Sequence, residues 1–185
     1  MSLTPSNMLK LGTKAPDFRL LNVKNNSFVE LSDIKGKHGT VIMFICNHCP
    51  FVKHVNAEIV RVANDYKVTG FGFVAISSND VDNYPQDSPG LMEKVAEEEK
   101  YPFPYLYDET QEVAKAYDVA CTPDFYVFDE NQKLFYRGQL DDSRPKNGLP
   151  LTGRSLREAL DALLNNYDSP KNQKPSMGCN IKWKP

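Results

Sequence analysis

The residues Val41-Ile42-Met43-Phe44-Ile45 run without a polar side chain straight into Cys46-Asn47-His48-Cys49-Pro50. A short continuous apolar run suits a strand buried on both faces, as in the middle of a parallel or mixed sheet. The next segment, Phe51 to Tyr66, carries Val52, Val55, Ile59, Val62, Ala63 and Tyr66 at spacings of three and four, with Lys53, Glu58, Arg61 and Asp65 mainly opposite. That is the period of a helix with one buried face. Two cysteines at C-x-x-C spacing therefore sit where a strand hands over to a helix. The unpaired N–H groups and positive dipole end of a helix N-terminus favour a thiolate, which is the reactive form of cysteine. Pro50 suits the first turn, where its missing N–H costs no intrahelical bond. His48, Lys53 and His54 can add positive charge nearby. The other readings of the pair are buried structural cysteines or half of a zinc site. Zinc usually takes four ligands from paired clusters, and no second C-x-x-C exists. A redox centre at Cys46 and Cys49 is the favoured reading, with no resident metal and no cofactor called for.

The rest of the composition fits this. A chain of 185 residues suffices for one domain with a sizeable core. Its net charge of -2 argues against nucleic-acid or anionic-membrane partners. No apolar run reaches membrane-span length, and Met1 to Lys10 lack the pattern of a signal peptide, so a cytoplasmic location is expected. Four cysteines do not make a disulfide scaffold. In a reducing compartment a C-x-x-C pair points to catalysis or metal binding.

In chain order, residues 1–10 read as a loose or weakly docked arm, 11–168 as one domain, and 169–185 as a C-terminal tail. Pro16 to Leu20 and Ser27 to Leu31 read as a hairpin across the turn-rich Asn22 to Asn26, followed by a helical turn near Ile34. Thr40 to Ile45 and Phe71 to Ser77 read as central strands. Asn79 to Gly90 is a polar loop. Leu91 to Lys100 is expected to be helical, with Leu91, Met92, Val95 and Ala96 inward, and Glu97-Glu98-Glu99-Lys100 is a solvated face. Phe103 to Tyr107 is a short strand, and Asp108 or Thr110 can cap a helix running to Tyr117. Pro123 takes an edge position or a cis bond ahead of a hairpin, Asp124 to Asp129 and Lys133 to Arg137. Gly138 to Gly153 is a polar insertion. Ser155-Leu156-Arg157-Glu158 reads as a capping box opening the last helix, with Leu156, Ala159, Leu160, Leu163 and Leu164 inward.

This order, with Thr122-Pro123 before a hairpin, resembles the thioredoxin fold, an α/β architecture with a central mixed sheet flanked by helices. Gly12-Thr13-Lys14-Ala15-Pro16-Asp17-Phe18 and the N-terminal β-hairpin resemble the peroxiredoxin branch, the alkyl hydroperoxide reductase and thiol-specific antioxidant group. Phe44 to Phe51, Cys121 to Phe125, Tyr136 to Pro145 and Gly178 to Trp183 are similar to a peroxiredoxin-like group of thioredoxin-family proteins, and the likeness runs from about residue 11 to the end. It implies a thiol–disulfide oxidoreductase. Cys46 would attack a substrate disulfide, Cys49 would resolve the mixed disulfide, and Thr122 and Pro123 would guide the substrate backbone. The peroxiredoxin pattern P-x-x-x-T-x-x-C implies instead that Cys49 attacks peroxide. On that alignment Ile42 stands at the Pro position and Cys46 at the Thr position, and no Arg falls near Thr122-Pro123. Those donors stabilise the peroxide transition state, so a slow peroxidase is expected. A reading of another class is a module that binds or delivers copper or zinc, since thiolates suit Cu(I). The expected partners are a protein or low-molecular-weight disulfide or peroxide substrate and a thiol reductant. Oligomeric state is not legible.

His48, directly before the second Cys, resembles the centre of strongly oxidising disulfide-forming proteins. It implies a tuned thiol pKa and a couple more oxidising than thioredoxin's, unless the ring simply points to solvent. Cys121 and Cys179 are candidate accessory thiols. Cys121 could relay or resolve, or be a small core residue, the commonest fate of a free Cys. Cys179 could resolve from the tail, although a tail anchored by Ile181 and Trp183 is favoured. His38 is expected to be exposed, and His54 could help polarise the site. Residues 137–144, with two Arg and two Asp, form either a surface ion-pair network or a lip over the site.

Overall fold

A computed structural model describes residues 3–185 of the chain. The elements run β1 (Leu3–Pro5), β2 (Arg19–Asn22), β3 (Ser27–Glu30), α1 (Leu31–Ile34), β4 (Gly39–Phe44), α2 (Pro50–Lys67), β5 (Phe71–Ser77), a 3-10 turn (Pro85–Asp87), α3 (Pro89–Glu98) and β6 (Tyr105–Tyr107). They continue with α4 (Glu112–Ala116), β7 (Cys121–Thr122), β8 (Asp124–Asp129), β9 (Leu134–Gly138), α5 (Arg154–Leu164) and β10 (Met177–Asn180). Seven strands form one mixed sheet in the order β3-β2-β6-β5-β4-β8-β9. Strands β4, β5 and β6 run parallel, and β8 returns antiparallel beside β4.

Every residue of β4 is buried. Successive side chains of a strand face opposite sides of the sheet, and the apolar run divides accordingly. Val41, Met43 and Ile45 enter a core shared with α2, α3 and α5. Ile42 and Phe44 enter a second core with Ile34, Ala114 and Tyr117 on the other side. The expected flanked central sheet and N-terminal hairpin are therefore present. The six inward positions expected on α2 are all buried. Each fully buried aliphatic side chain contributes roughly 1.5–3 kcal/mol, so α2 is held firmly and its N-terminus is a fixed platform. Among the described residues, no helix is long and apolar enough to cross a membrane.

Several local expectations differ. Glu58, expected on the solvated face of α2, is buried, because Arg61 and Arg157 both pair with its carboxylate. Leu91 is 40% exposed, since α3 begins at Pro89 and Met92 and Ala96 take the inward positions. The Ser155 capping box does not form. The N-cap lies two residues earlier, at Gly153 in the left-handed conformation, and the buried Asp141 accepts the Thr152 and Gly153 N–H groups at 2.6 and 2.7 Å. His38 is half-buried, tilted against Phe71 at a centroid distance of 6.2 Å.

A second, small sheet has the order β1-β10-β7. Leu3–Pro5, expected in a loose or weakly docked arm, pairs antiparallel with β10; residues 1 and 2 of that arm lie outside the described residues. The tail is likewise built in. Its strand β10 lies between β1 and β7, in a register that sets Cys179 opposite Thr122 and Asn180 opposite Cys121.

Candidate active site

The apolar strand β4 delivers Cys46, and Cys49 is the N-cap residue of α2, with Pro50 at the first helical position. Both thiols are buried, at 2% and 0% exposure. Thr122 faces both. Its hydroxyl lies 3.3 Å from Cys46 Sγ and its carbonyl oxygen 3.4 Å from Cys49 Sγ. The Thr122–Pro123 peptide is cis, one of the two expected alternatives.

Cys179 is the residue whose position departs most from expectation. It is buried at 4% exposure, and its Sγ lies 2.8 Å from Cys49 Sγ, across 130 residues of sequence. That is inside van der Waals contact for two sulfurs and beyond the roughly 2.05 Å of a disulfide. Gly178 makes the approach possible: a Cβ there would lie 1.9 Å from the Thr122 carbonyl oxygen. Ser176 adds a bond from its hydroxyl to the Pro123 carbonyl at 2.5 Å. Ile181 anchors the tail as expected, whereas Trp183 is 43% exposed. Cys121, fully buried, donates to the Ser176 carbonyl at 4.0 Å.

The thiols differ in charge preference. Cys49 is pulled down to about 5, first by the hydrogen bond from Cys46, then by the Cys179 thiol and the Val52 and Cys179 backbone N–H dipoles; burial opposes this. The helix N-terminus acts in the same direction. Cys46 is pushed up, by donating to Cys49, by burial and by the nearby Asp87 carboxylate. Cys179 is pushed up to about 12, first by burial and then by its bond to Cys49. Burial likewise raises Cys121. The surroundings thus favour ionisation at Cys49 over Cys46, while the Thr122 carbonyl faces Cys49 Sγ as an acceptor.

Asp87 was not singled out by sequence reasoning. It is fully buried beneath the C-x-x-C turn. Its carboxylate accepts the Asn47 N–H at 2.7 Å, the His48 N–H at 3.3 Å, the His48 imidazole Nδ1 at 2.7 Å and the Asn79 amide at 2.8 Å. The only sequence signal was a lone acid between Pro85 and Pro89 in a polar loop. His48 is held by this contact and by stacking on Tyr84, with rings 11° apart, so it does not simply point to solvent. Cys46, His48 and Asp87 place donor atoms within 4.8 Å of one another, a set that could hold a metal ion. The His48–Asp87 hydrogen bond occupies the facing atoms of two of the three.

Of the remaining candidates, His54 Nε2 bonds the Ser143 hydroxyl at 2.8 Å. Arg137 is fully buried rather than on the surface. It pairs with Asp124 at 3.0 Å, donates to the Asp118 carbonyl and lies over the Tyr126 ring. Arg144, half-buried, lines a narrow cleft with Phe51, His54, Pro123 and Met177. A wider groove of about 460 Å³ opens beside Asn47 and His48, lined by Lys53, Leu91 and Lys94 among others.

The model of the AhpC/TSA family matches residues 11–137. No curated protein matches the chain. An uncharacterized conserved protein from Geobacillus kaustophilus is 65% identical, with a TM-score of 0.99 over 100% of this chain and 98% of its own. A hypothetical protein from Sinorhizobium meliloti is 42% identical, with a TM-score of 0.95 over 98% of each chain. At 24% identity, a protein described as a putative thiol:disulfide interchange protein DsbE from Chlorobium tepidum shares the fold, with a TM-score of 0.65 over 85% of this chain and 99% of its own.

Proposed function

Because the chain belongs to the AhpC/TSA family of thioredoxin-like redox proteins, we propose that it is a thiol–disulfide oxidoreductase in which Cys46 and Cys49 cycle between dithiol and disulfide. The supporting observation is the pair of buried thiols at the N-terminus of α2, both facing Thr122. The thioredoxin template assigns the first attack to Cys46. The pKa directions support the opposite order, because the surroundings favour ionisation at Cys49 and oppose it at Cys46. The Cys49 thiolate attacks a substrate disulfide, forming a mixed disulfide and expelling one substrate thiolate. Cys46 loses its proton and attacks Cys49 Sγ, expelling the second substrate thiolate and closing the Cys46–Cys49 disulfide. Two electrons pass to the substrate, and an external thiol reductant returns them. Pro123, in the cleft with Phe51 and Met177, guides the substrate backbone together with Thr122. The substrate is a protein or low-molecular-weight disulfide. Asp87 positions the turn between the cysteines.

The test is trapping. Reduced Cys46→Ser/Cys179→Ser, which has neither thiol neighbour of Cys49, should hold a stable mixed disulfide on Cys49 when treated with a small aromatic disulfide, and Cys49→Ser should react more slowly. A fast, stable adduct on Cys46 in Cys49→Ser would reverse the order. Undiminished turnover in both variants would remove the assignment.

The Cys49 thiolate also favours a second reading, attack on peroxide. Against it, Cys46 stands at the Thr position, and the Arg137 guanidinium is engaged with Asp124.

A further inference from the structure

Cys49 has a thiol neighbour on each side, Cys46 from the C-x-x-C turn and Cys179 from β10. A two-cysteine cycle uses only the first. The second is delivered by a built contact. β10 is registered against Thr122, Gly178 supplies the clearance, Ser6 and Ser176 exchange bonds of 2.8 and 2.9 Å, and Ser176 bonds Pro123 at 2.5 Å. Cys179 is as buried as the thiols it meets, so the contact belongs to the interior of the site rather than to a passing tail.

Resting on the reading that Cys46 and Cys49 carry the exchange, we propose that Cys179 is a third redox-active thiol, which moves the internal disulfide from Cys46–Cys49 to Cys49–Cys179. The step is an isomerisation and needs no outside oxidant or reductant. The Cys179 thiol gives up its proton and its sulfur attacks Cys49 Sγ. The Cys49–Cys179 bond forms, the Cys46–Cys49 bond breaks, and the electron pair leaves on Cys46, which takes up a proton. The number of disulfides is unchanged. Two of the influences that raise Cys179, its bond to Cys49 and the Cys49 charge, disappear once Cys49 is in a disulfide, while Lys182 continues to favour the thiolate.

Two consequences follow. Cys46 regains a free thiol beside the Thr122 hydroxyl while the protein remains oxidised. The C-terminal strand becomes covalently joined to the N-terminus of α2, so the oxidised state is stored in the interior and clasps β10 in place. Cys121, held against the Ser176 carbonyl, takes no part.

The experiment is disulfide mapping of the full-length protein. Reduced wild type is oxidised with one equivalent of diamide, acid-quenched over a time course, alkylated and digested for mass spectrometry. The expected result is an early Cys46–Cys49 cross-link that gives way in part to Cys49–Cys179, with Cys46 becoming alkylated. In Cys179→Ser, Cys46 alkylation of the oxidised protein should be lost. In Cys46→Ser, Cys49–Cys179 should form directly within one chain. Cys46–Cys49 as the sole cross-link in wild type at all times would overturn the relay and leave the proposed exchange standing. Absence of both cross-links would overturn both. The wild-type map decides even if a variant folds poorly.

Discussion

At the scale of single residues, the site is organised by which sulfur carries the charge. Cys49 is lowered to about 5 against an ordinary 9.0. Thiolate absorbance lost in Cys49→Ser, measured on reduced protein, should therefore titrate near pH 5; a midpoint near 9 would contradict the arrangement. The same shift fixes a stability trend. Between the folded and unfolded values the unfolded chain holds a proton that the native state lacks, so stability rises with pH there. Reduced wild type should gain stability relative to Cys49→Ser as pH rises from 5 to 8, and lose that advantage as pH falls through about 5. Asp87 gives a second prediction. Asp87→Ala leaves the Asn47 and His48 N–H donors without their acceptor, at about 1–3 kcal/mol for each buried group. Denaturant unfolding should show a loss of several kcal/mol, and Asp87→Asn should recover part of it.

At the scale of elements, the junction of β4 and α2 was legible because an apolar run and a helical period meet at the cysteines. Both signals are local, and burial followed them closely. Cys179 could be named as a candidate resolving thiol, but its contact with Cys49 was not legible: nothing near Cys179 says that β10 will insert between β1 and β7. The register depends on Gly178, whose need for space appears only once Thr122 is beside it. Gly178→Ala should push β10 off Thr122 and cost roughly 1–3 kcal/mol by overpacking, with faster proteolysis of the tail; unchanged stability would show that the strand yields freely. The stretch 137–144, expected as a surface ion-pair network or a lip over the site, divides for a related reason. Asp142 joins exposed ion pairs and Arg144 lines the cleft with Pro123, but Arg137 pairs with Asp124 inside, with Asp124 Oδ1 and Arg137 Nε and Nη1 lacking hydrogen-bond partners among the described residues. Arg137→Met leaves Asp124 buried and unpaired, and removing one partner of such a pair costs about 3–5 kcal/mol. Adding Asp124→Leu should restore most of that loss in thermal unfolding. A single variant as stable as wild type would argue that the pair contributes nothing.

At the scale of the whole molecule, the central sheet carries two cores, and the thiols sit where α2, the Thr122–Pro123 segment and the C-terminal strand converge. The overall architecture could be read from strand and helix order. The resemblance set Thr122 opposite Cys46, but the convergence of residues 87 and 179 on the same place could not be read, since it depends on long-range pairing. Stabilising the Cys49 thiolate stabilises the reduced dithiol, which raises the reduction potential. Equilibration with glutathione buffers should place the Cys46–Cys49 couple above thioredoxin's value of about −270 mV. A lower value would mean that burial outweighs the donors around Cys49. The most direct measurement is single-turnover oxidation of the fully reduced protein by a disulfide and, separately, by hydrogen peroxide, in wild type, Cys46→Ser and Cys49→Ser. The expected result is fast disulfide exchange that requires Cys49, closes onto Cys46, and outpaces the reaction with peroxide. Fast peroxide oxidation that survives Cys46→Ser and vanishes in Cys49→Ser, alongside slow disulfide exchange, would contradict the oxidoreductase and make this chain a peroxidase.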